Sequence, residues 1–207
     1  MVAHCSVGLL AGGSSGVFGA AAEAPVILVI GDSLSAEYGI QAGDGWVALL
    51  QKRLASQKKP HRVVNASISG DTTAGGRSRL PAALRTHKPA IVVLELGGND
   101  ALRGLPLSST RDNLLTMAKA AQAAGAKVIV VGMQVPPNYG SAYAKDFERV
   151  FGDVARQAKA ALVPFLLKGV ADRPDAMDWF QPDRIHPLAK AHPQMLDNVW
   201  RALQPLL

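Results

Sequence analysis

The sequence predicts an α/β protein, a parallel sheet with helices on both faces, and three observations carry that expectation. Residues 26–30 (VILVI) form an unbroken apolar run, β-branched at four of its five positions, and such a short run suits a strand covered on both faces. Similar runs recur along the chain, separated by amphipathic stretches of helical length, the alternation that builds right-handed β-α-β crossovers. Three of the runs end in Gly combined with Ser, Asp or Asn: Gly31-Asp32-Ser33, Ser69-Gly70-Asp71 and Gly97-Gly98-Asn99-Asp100. In a parallel sheet such loops converge on one edge, outside the carboxyl ends of the strands, where ligands bind.

The first strand is stopped by Gly31, which permits a tight turn and close backbone approach. Residues 46–57 place Trp46, Val47, Leu49, Leu50 and Leu54 at helical spacing. Residues 62–68 (RVVNASI) read as the second strand, 91–96 (IVVLEL) as the third and 127–131 as the fourth. Residues 76–87 read as a helix, in which Pro81 is tolerated only near the start or at a kink. Residues 109–124 read as a helix capped by Ser108 or Ser109 and closed by Gly125. After the Pro136-Pro137-Asn138-Tyr139-Gly140 loop come a helix over 142–160, a short fifth strand over 162–165 and a terminal helix over 188–203. No repeat or linker interrupts residues 25–207, which therefore make one domain.

Residues 1–24 are different: small, apolar and without Lys or Arg. Ala22-x-Ala24 has the small-residue spacing of a signal-peptidase site, which predicts a periplasmic or secreted protein beginning at Pro25. A disordered tail is the other reading of this segment, which lacks a charged n-region. Its apolar part is too short and too broken by glycine to span a bilayer stably. Gly12-x-Ser14-x-Gly16 matches a nucleophile-elbow pattern, but no strand precedes it and no helix follows, so Ser14 is rejected. Cys5, the single cysteine, would leave with the segment and allows no intramolecular disulfide.

The 207 residues carry a formal charge of +6 and are 48% hydrophobic, ordinary for a globular domain with a sizeable core. Lys52, Arg53, Lys58, Lys59 and Arg62 are the main basic cluster. Without aromatic residues interleaved to stack bases, it reads as a solvated helix end, and no nucleic-acid partner is expected. No Cys/His/carboxylate spacing suggests a metal, and no Gly-rich loop followed by Lys suggests a nucleotide, so no cofactor is expected. His4, His61, His87 and His192 lack a partner pattern and receive no role. Met117, Met133, Met177 and Met195 read as core or pocket filler.

The chemistry concentrates on the three loops and on Asp183-Arg184-Ile185-His186-Pro187, just before the last helix. An alkoxide nucleophile needs a base, the base needs an orienting acceptor, and the developing oxyanion needs fixed donors. Ser33, His186 and Asp183 suit the first three roles. The N–H groups of Ser33 and Gly70 and the side-chain amide of Asn99 suit the last. Read singly, each has a plainer use: Ser33 and Asp32 as a helix cap, Asn99 and Asp100 as an Asx turn, Asp183 and His186 as a surface pair.

Together they resemble a known family. GDSLS at 31–35, Gly70 in NASISGDTT, Asn99 in ELGGND and DxxH at 183–186 are similar, in order and spacing, to the four blocks of the SGNH (GDSL) hydrolases. ALRGLPLSSTRDNL and QVPPNYGSAY resemble the thioesterase I, lysophospholipase and arylesterase subgroup, and the similarity spans residues 25–207. The resemblance implies a flavodoxin-like α/β/α sandwich on five parallel strands. It makes Ser33 the nucleophile, His186 the general base and then acid, Asp183 the orienting carboxylate, and Ser33, Gly70 and Asn99 the oxyanion hole. It implies a cofactor-free serine esterase and thioesterase working through an acyl-enzyme on small acyl esters, thioesters or lysophospholipids, as a monomer or weak homo-oligomer. Leu102, Leu105, Leu107 and Pro136 are candidates to line an acyl groove, and Asp100 to brace its loop. A carbohydrate acetylesterase of the same superfamily is the enzymatic alternative. A non-catalytic lipid-binding module would show a damaged Ser, Asn or His block, and a receiver or FMN domain a different acidic pattern.

Overall fold

The computed structural model describes residues 1–2 and 23–207, so Cys5, Ser14 and almost all of the stretch on which the expectation of export rests lie outside the described residues. Five strands, β1 (Val26–Gly31), β2 (Arg62–Asn65), β3 (Ile91–Glu95), β4 (Lys127–Val131) and β5 (Ala161–Val163), form one sheet in the order β2-β1-β3-β4-β5. All four pairings are parallel. This is the expected sheet, and its order is the flavodoxin-like one, whose switch point falls between β1 and β3. Gly31 is level with Glu95 there, so the loops after β1 and β3 leave the sheet side by side.

Helices α1 (Trp46–Ser56) and α6 (His192–Leu203) pack on each other, as do α2 (Thr73–His87), α4 (Leu107–Ala123) and α5 (Ser141–Ala158) in sequence. A short helix, α3 (Gly98–Leu102), was not expected. Ile27–Ile30 and Val92–Leu94 are fully buried, which explains why their sequence is continuously apolar rather than alternating. Trp46, Val47, Leu50 and Leu54 form the inward stripe of α1. Truncating a fully buried leucine such as Leu50 or Leu94 to Ala typically costs about 2–5 kcal/mol.

The boundaries that moved have local causes. β2 ends at Asn65 rather than 68, where the side chain takes over: Nδ2 donates to the Ser35 carbonyl at 2.7 Å and Oδ1 accepts the Ser67 N–H at 3.2 Å. α2 starts at Thr73 rather than 76, because Thr72 is its N-cap and accepts the Gly75 N–H at 3.3 Å. It also runs through Pro81, which lies on the exposed side with Arg77, so the carbonyl freed by the missing N–H faces the wet side of the helix. Ser108 and Ser109 lie inside the first turn of α4, with Pro106 at the cap position, and neither caps it. Gly125 does close α4, at φ +87°. β5 stops at Val163 because Pro164 cannot donate to the ladder. The terminal helix begins as a 3₁₀ turn, Ala189–Ala191, before α6 proper.

Candidate active site

Asp32 and Ser33 follow directly on β1, and the chain turns at once, with the Ala36 N–H donating to the Asp32 carbonyl at 2.9 Å. Asp32 Oδ1 accepts the Leu34 N–H at 3.0 Å, fixing the turn from inside. Ser33 Oγ meets His186 Nε2 at 2.9 Å, across 153 residues of sequence. His186 arrives there because its segment folds back on itself. Phe180 and Pro187 form an antiparallel bridge, and the Gln181 N–H donates to the His186 carbonyl at 2.8 Å.

Asp183 Oδ2 lies 2.6 Å from His186 Nδ1, while its Oδ1 accepts the N–H groups of Ile185 at 2.9 Å and His186 at 3.0 Å. Partial desolvation pushes the Asp183 carboxyl up. The hydrogen bonds from the His186 backbone and ring and from Ile185 outweigh it and hold the carboxyl at about 2. An ionised Asp183 can only accept, so His186 carries its proton on Nδ1 and presents the Nε2 lone pair to Ser33. The three residues singled out from sequence thus form one hydrogen-bonded chain.

Gly70 and Asn99 flank it. Gly70 sits at φ +77°, a left-handed conformation that favours glycine. A Cβ there would meet only Arg103, at 3.7 Å, so it is backbone conformation that calls for glycine. Among the described residues neither the Ser33 nor the Gly70 N–H donates to another protein group. Asn99, at the start of α3, donates one amide hydrogen to Asp32 Oδ2 at 3.0 Å and keeps the other free. Three unused donors therefore come from the ends of β1, β2 and β3.

Beneath these groups lies a buried network with no counterpart in the sequence reading. Glu95, fully buried at the end of β3, accepts the Ser35 hydroxyl at 2.6 Å and the Asp32 N–H at 3.4 Å through Oε2, while Oε1 has no partner. A Cβ on Gly31 would stand 2.8 Å from this carboxyl and from Ser35 Oγ, so the close approach that Gly31 allows is that of Glu95. Burial drives both acids up: Asp32 to about 6, although the Leu34 and Asn99 hydrogen bonds lower it, and Glu95 well above the usual range, with Asp32 adding repulsion. A single carboxylate inside the apolar run IVVLEL was the sequence signal for this pair.

Other contacts brace the loops. Arg79 ties the β2 loop to β1, pairing with Asp71 at 2.7 Å and donating to the carbonyls of Ala66 and Gly31. Arg103 donates to the Gly70 carbonyl at 2.7 Å. Asp100 is structural as expected, accepting from Thr73 and Thr110. The Tyr38 ring lies 4.3 Å from that of His186, and Gln181 Nε2 holds the Tyr38 carbonyl at 2.9 Å. Of the groove candidates, Leu102, Leu105 and Pro136 are exposed, whereas Leu107 packs against the core. Met117, Met133 and Met195 are buried, but Met177 is exposed. His192, given no role from sequence, is buried, and its Nδ1 accepts the Trp46 N–H at 3.0 Å. Among the described residues no three His, Cys, Asp or Glu side chains stand close enough to hold a metal ion, and no helix is long and apolar enough to cross a membrane.

The chain matches the GDSL-like lipase/acylhydrolase family over residues 29–193. It is 56% identical over 186 residues to esterase TesA of Pseudomonas aeruginosa, covering 90% of this chain and 91% of that one. It is 40% identical over 187 residues to thioesterase 1/protease 1/lysophospholipase L1 of Escherichia coli, covering 90% and 87%. A crystal structure of TesA superposes with a TM-score of 0.84 at 55% identity, over 88% of this chain and 99% of that one. With the four sequence blocks brought to one edge of a five-stranded parallel sheet, the chain belongs to the GDSL-like lipase/acylhydrolase family.

Proposed function

We propose that the protein is a serine hydrolase that cleaves carboxylic esters and acyl thioesters through an acyl-enzyme on Ser33. The observation that carries this reading is the continuous chain Ser33 Oγ, His186 Nε2, His186 Nδ1, Asp183 Oδ2 at 2.9 and 2.6 Å. His186 takes the Ser33 proton as Oγ attacks the carbonyl carbon. The oxyanion forms among the Ser33 and Gly70 N–H groups and the free Asn99 amide hydrogen. His186 returns the proton to the departing alcohol or thiol, then takes one from the water that attacks the acyl-enzyme and gives it to Ser33 Oγ as the bond to the acyl carbon breaks and the acid leaves.

The surface supports an acyl substrate. Beyond the first two residues, every exposed large hydrophobic among the described residues, namely Tyr38, Ile68, Leu102, Leu105, Tyr139, Met177 and Ile185, lies on a segment that follows a strand's carboxyl end. An apolar rim of this kind suits fatty acyl, aryl and lysophospholipid esters, with Leu102, Leu105 and Pro136 as acyl contacts. Export is part of the same reading, resting on Ala22-x-Ala24. Mass spectrometry of the protein secreted or released to the periplasm should find Pro25 at its start.

The test is hydrolysis of p-nitrophenyl esters of increasing acyl length by the full chain, wild type beside Ser33→Ala. Loss of turnover in the variant is the expected result, and the optimum chain length then sizes the acyl site. Equal rates from both proteins would refute the assignment of Ser33.

A further inference from the structure

Both ring nitrogens of His186 are in use: Nδ1 faces Asp183 Oδ2 at 2.6 Å and Nε2 faces Ser33 Oγ at 2.9 Å. The nitrogens of an imidazole donate and accept in the plane of the ring, so a further partner must meet one of its faces. The His186 side chain is only 17% exposed. The Tyr38 ring lies against it, with centroids 4.3 Å apart and planes inclined by 40°. Aromatic pairs usually stand about 4.5–7 Å apart, so this is a close approach. An inclination well short of perpendicular turns the two faces towards each other.

Backbone contacts from two loops build this approach. The Tyr38 N–H donates to the Ser33 carbonyl at 3.4 Å, which keeps the ring on the turn of the nucleophile. Gln181 Nε2 donates to the Tyr38 carbonyl at 2.9 Å and to the Pro187 carbonyl at 3.2 Å. The Gln181 N–H donates to the carbonyl of His186 itself at 2.8 Å. One residue thus joins the loop of Tyr38 to the loop of His186. A Cβ on Gly39, whose φ is +71°, would collide with Gln181 Oε1, so glycine there lets the amide reach the Tyr38 carbonyl.

We propose that Tyr38 is the electrostatic partner of the triad imidazole: the negative face of its ring stabilises the positive charge that forms on His186 as Ser33 Oγ gives up its proton. This rests on the assignment of His186 as general base. An aromatic face attracts a cation within about 6 Å of its centroid. The charge is absent from neutral His186 and forms in the transition states of both acylation and deacylation. The interaction therefore raises kcat without tightening the binding of substrate. Tyr38 belongs to the apolar rim, but a rim residue that only holds an acyl chain would act on KM instead. No bond to Tyr38 forms or breaks, and its hydroxyl is not required.

The test is kcat and KM for p-nitrophenyl butyrate at pH 8, on the full chain. Tyr38→Phe keeps the aromatic face and should stay within about twofold of wild type in kcat. Tyr38→Leu keeps an apolar side chain without the face. It should turn over about two- to fivefold more slowly than Tyr38→Phe, the scale of an exposed cation–π contact, with KM within about twofold. Tyr38→Phe carrying one, two and three ring fluorines draws electron density off the face at nearly constant shape. Its kcat should fall stepwise towards the Tyr38→Leu value. Packing alone would not respond to fluorine, so equal kcat across that series overturns the inference. A change confined to KM also overturns it and makes the ring a substrate contact. Because the fluorinated rings fill the same space, that series decides even where Tyr38→Leu does not fold. Ser33→Ala in the same assay keeps the two readings apart. Lost activity there beside a flat fluorine series refutes the role of Tyr38 alone, whereas activity retained there refutes the proposed chemistry.

Discussion

Two carboxylates stand either side of the Ser33–His186 pair, and their surroundings drive them in opposite directions. Asp183 sits on an outer turn with its side chain 38% exposed, and three N–H groups hold it at about 2. Asp32 is 3% exposed under the sheet edge, beside a second buried acid, and burial lifts it to about 6. The same residue type therefore serves two ends. Asp183 is a permanent anion that can orient an imidazole and stabilise its charged form. Asp32 is a rigid acceptor whose Oδ2 pins the Asn99 amide. Water access and the number of N–H donors make the difference, not sequence distance, since Asp32 is the direct neighbour of Ser33.

The sharpest way to break the comparison is to remove the anion without changing shape. Asp183→Asn would point an amide towards His186 Nδ1 and favour the tautomer with its proton on Nε2, facing Ser33. The expected loss in kcat is on the order of 10³–10⁴ with the fold intact, read from single-turnover ester hydrolysis and circular dichroism. A loss below about tenfold would mean that the ring is oriented by another contact, such as the Tyr38 ring. The sign of the pH effect is set by the depressed value. The stabilising contribution of Asp183 is complete above the ordinary carboxylate range, near 4, and disappears as pH falls through about 2.

Asp32→Asn tests the other arm and should cost less. The new side chain can still accept the Leu34 N–H, but its amide then faces the Asn99 amide donor to donor, and Asn99 turns away. Removing an oxyanion donor costs on the order of 10²–10³ in turnover. Displacing one should cost about 10–10², with KM for a short aryl ester nearly unchanged. Asn99→Ala in the Asp32→Asn background should bring the total loss only to that of Asn99→Ala alone, because both changes disable the same donor. Full additivity of the two losses would show that Asp32 does not act through Asn99.

The difference between the two acids also explains what was legible in the sequence. The strands announced themselves because both sheet faces are covered, which forces runs such as VILVI and IVVLEL. Ser33, Gly70, Asn99, Asp183 and His186 were legible because they sit in short local motifs. The lone carboxylate in IVVLEL marked Glu95 as unusual, but nothing local tied it to Asp32, because their partnership joins positions 63 residues apart. His192 received no role for a related reason. Its hydrogen-bond partner is the backbone of Trp46, 146 residues away, and a backbone partner leaves no mark in sequence. Thr72 was overlooked as a cap because the apolar pattern of α2 begins only after its first turn.

The smallest expected effect is on stability alone and isolates the second buried acid. Glu95 is raised well above the ordinary range by burial and by Asp32, so between that range and its folded value the native state holds more protons than the unfolded chain. Stability from this group is therefore full below about pH 4 and is lost as pH rises through the folded value. Glu95→Gln removes the charge while keeping an oxygen to accept from Ser35 and from Asp32 N–H. Relative to wild type, its thermal midpoint should gain a few degrees between pH 5 and pH 8. Glu95 lies behind Asp32 and does not touch the Ser33–His186–Asp183 chain, so kcat at pH 8 should change by less than about threefold. Parallel midpoint curves for the two proteins would place the proton load of the pair on Asp32, and the buried arm of the comparison would then rest on that single carboxyl.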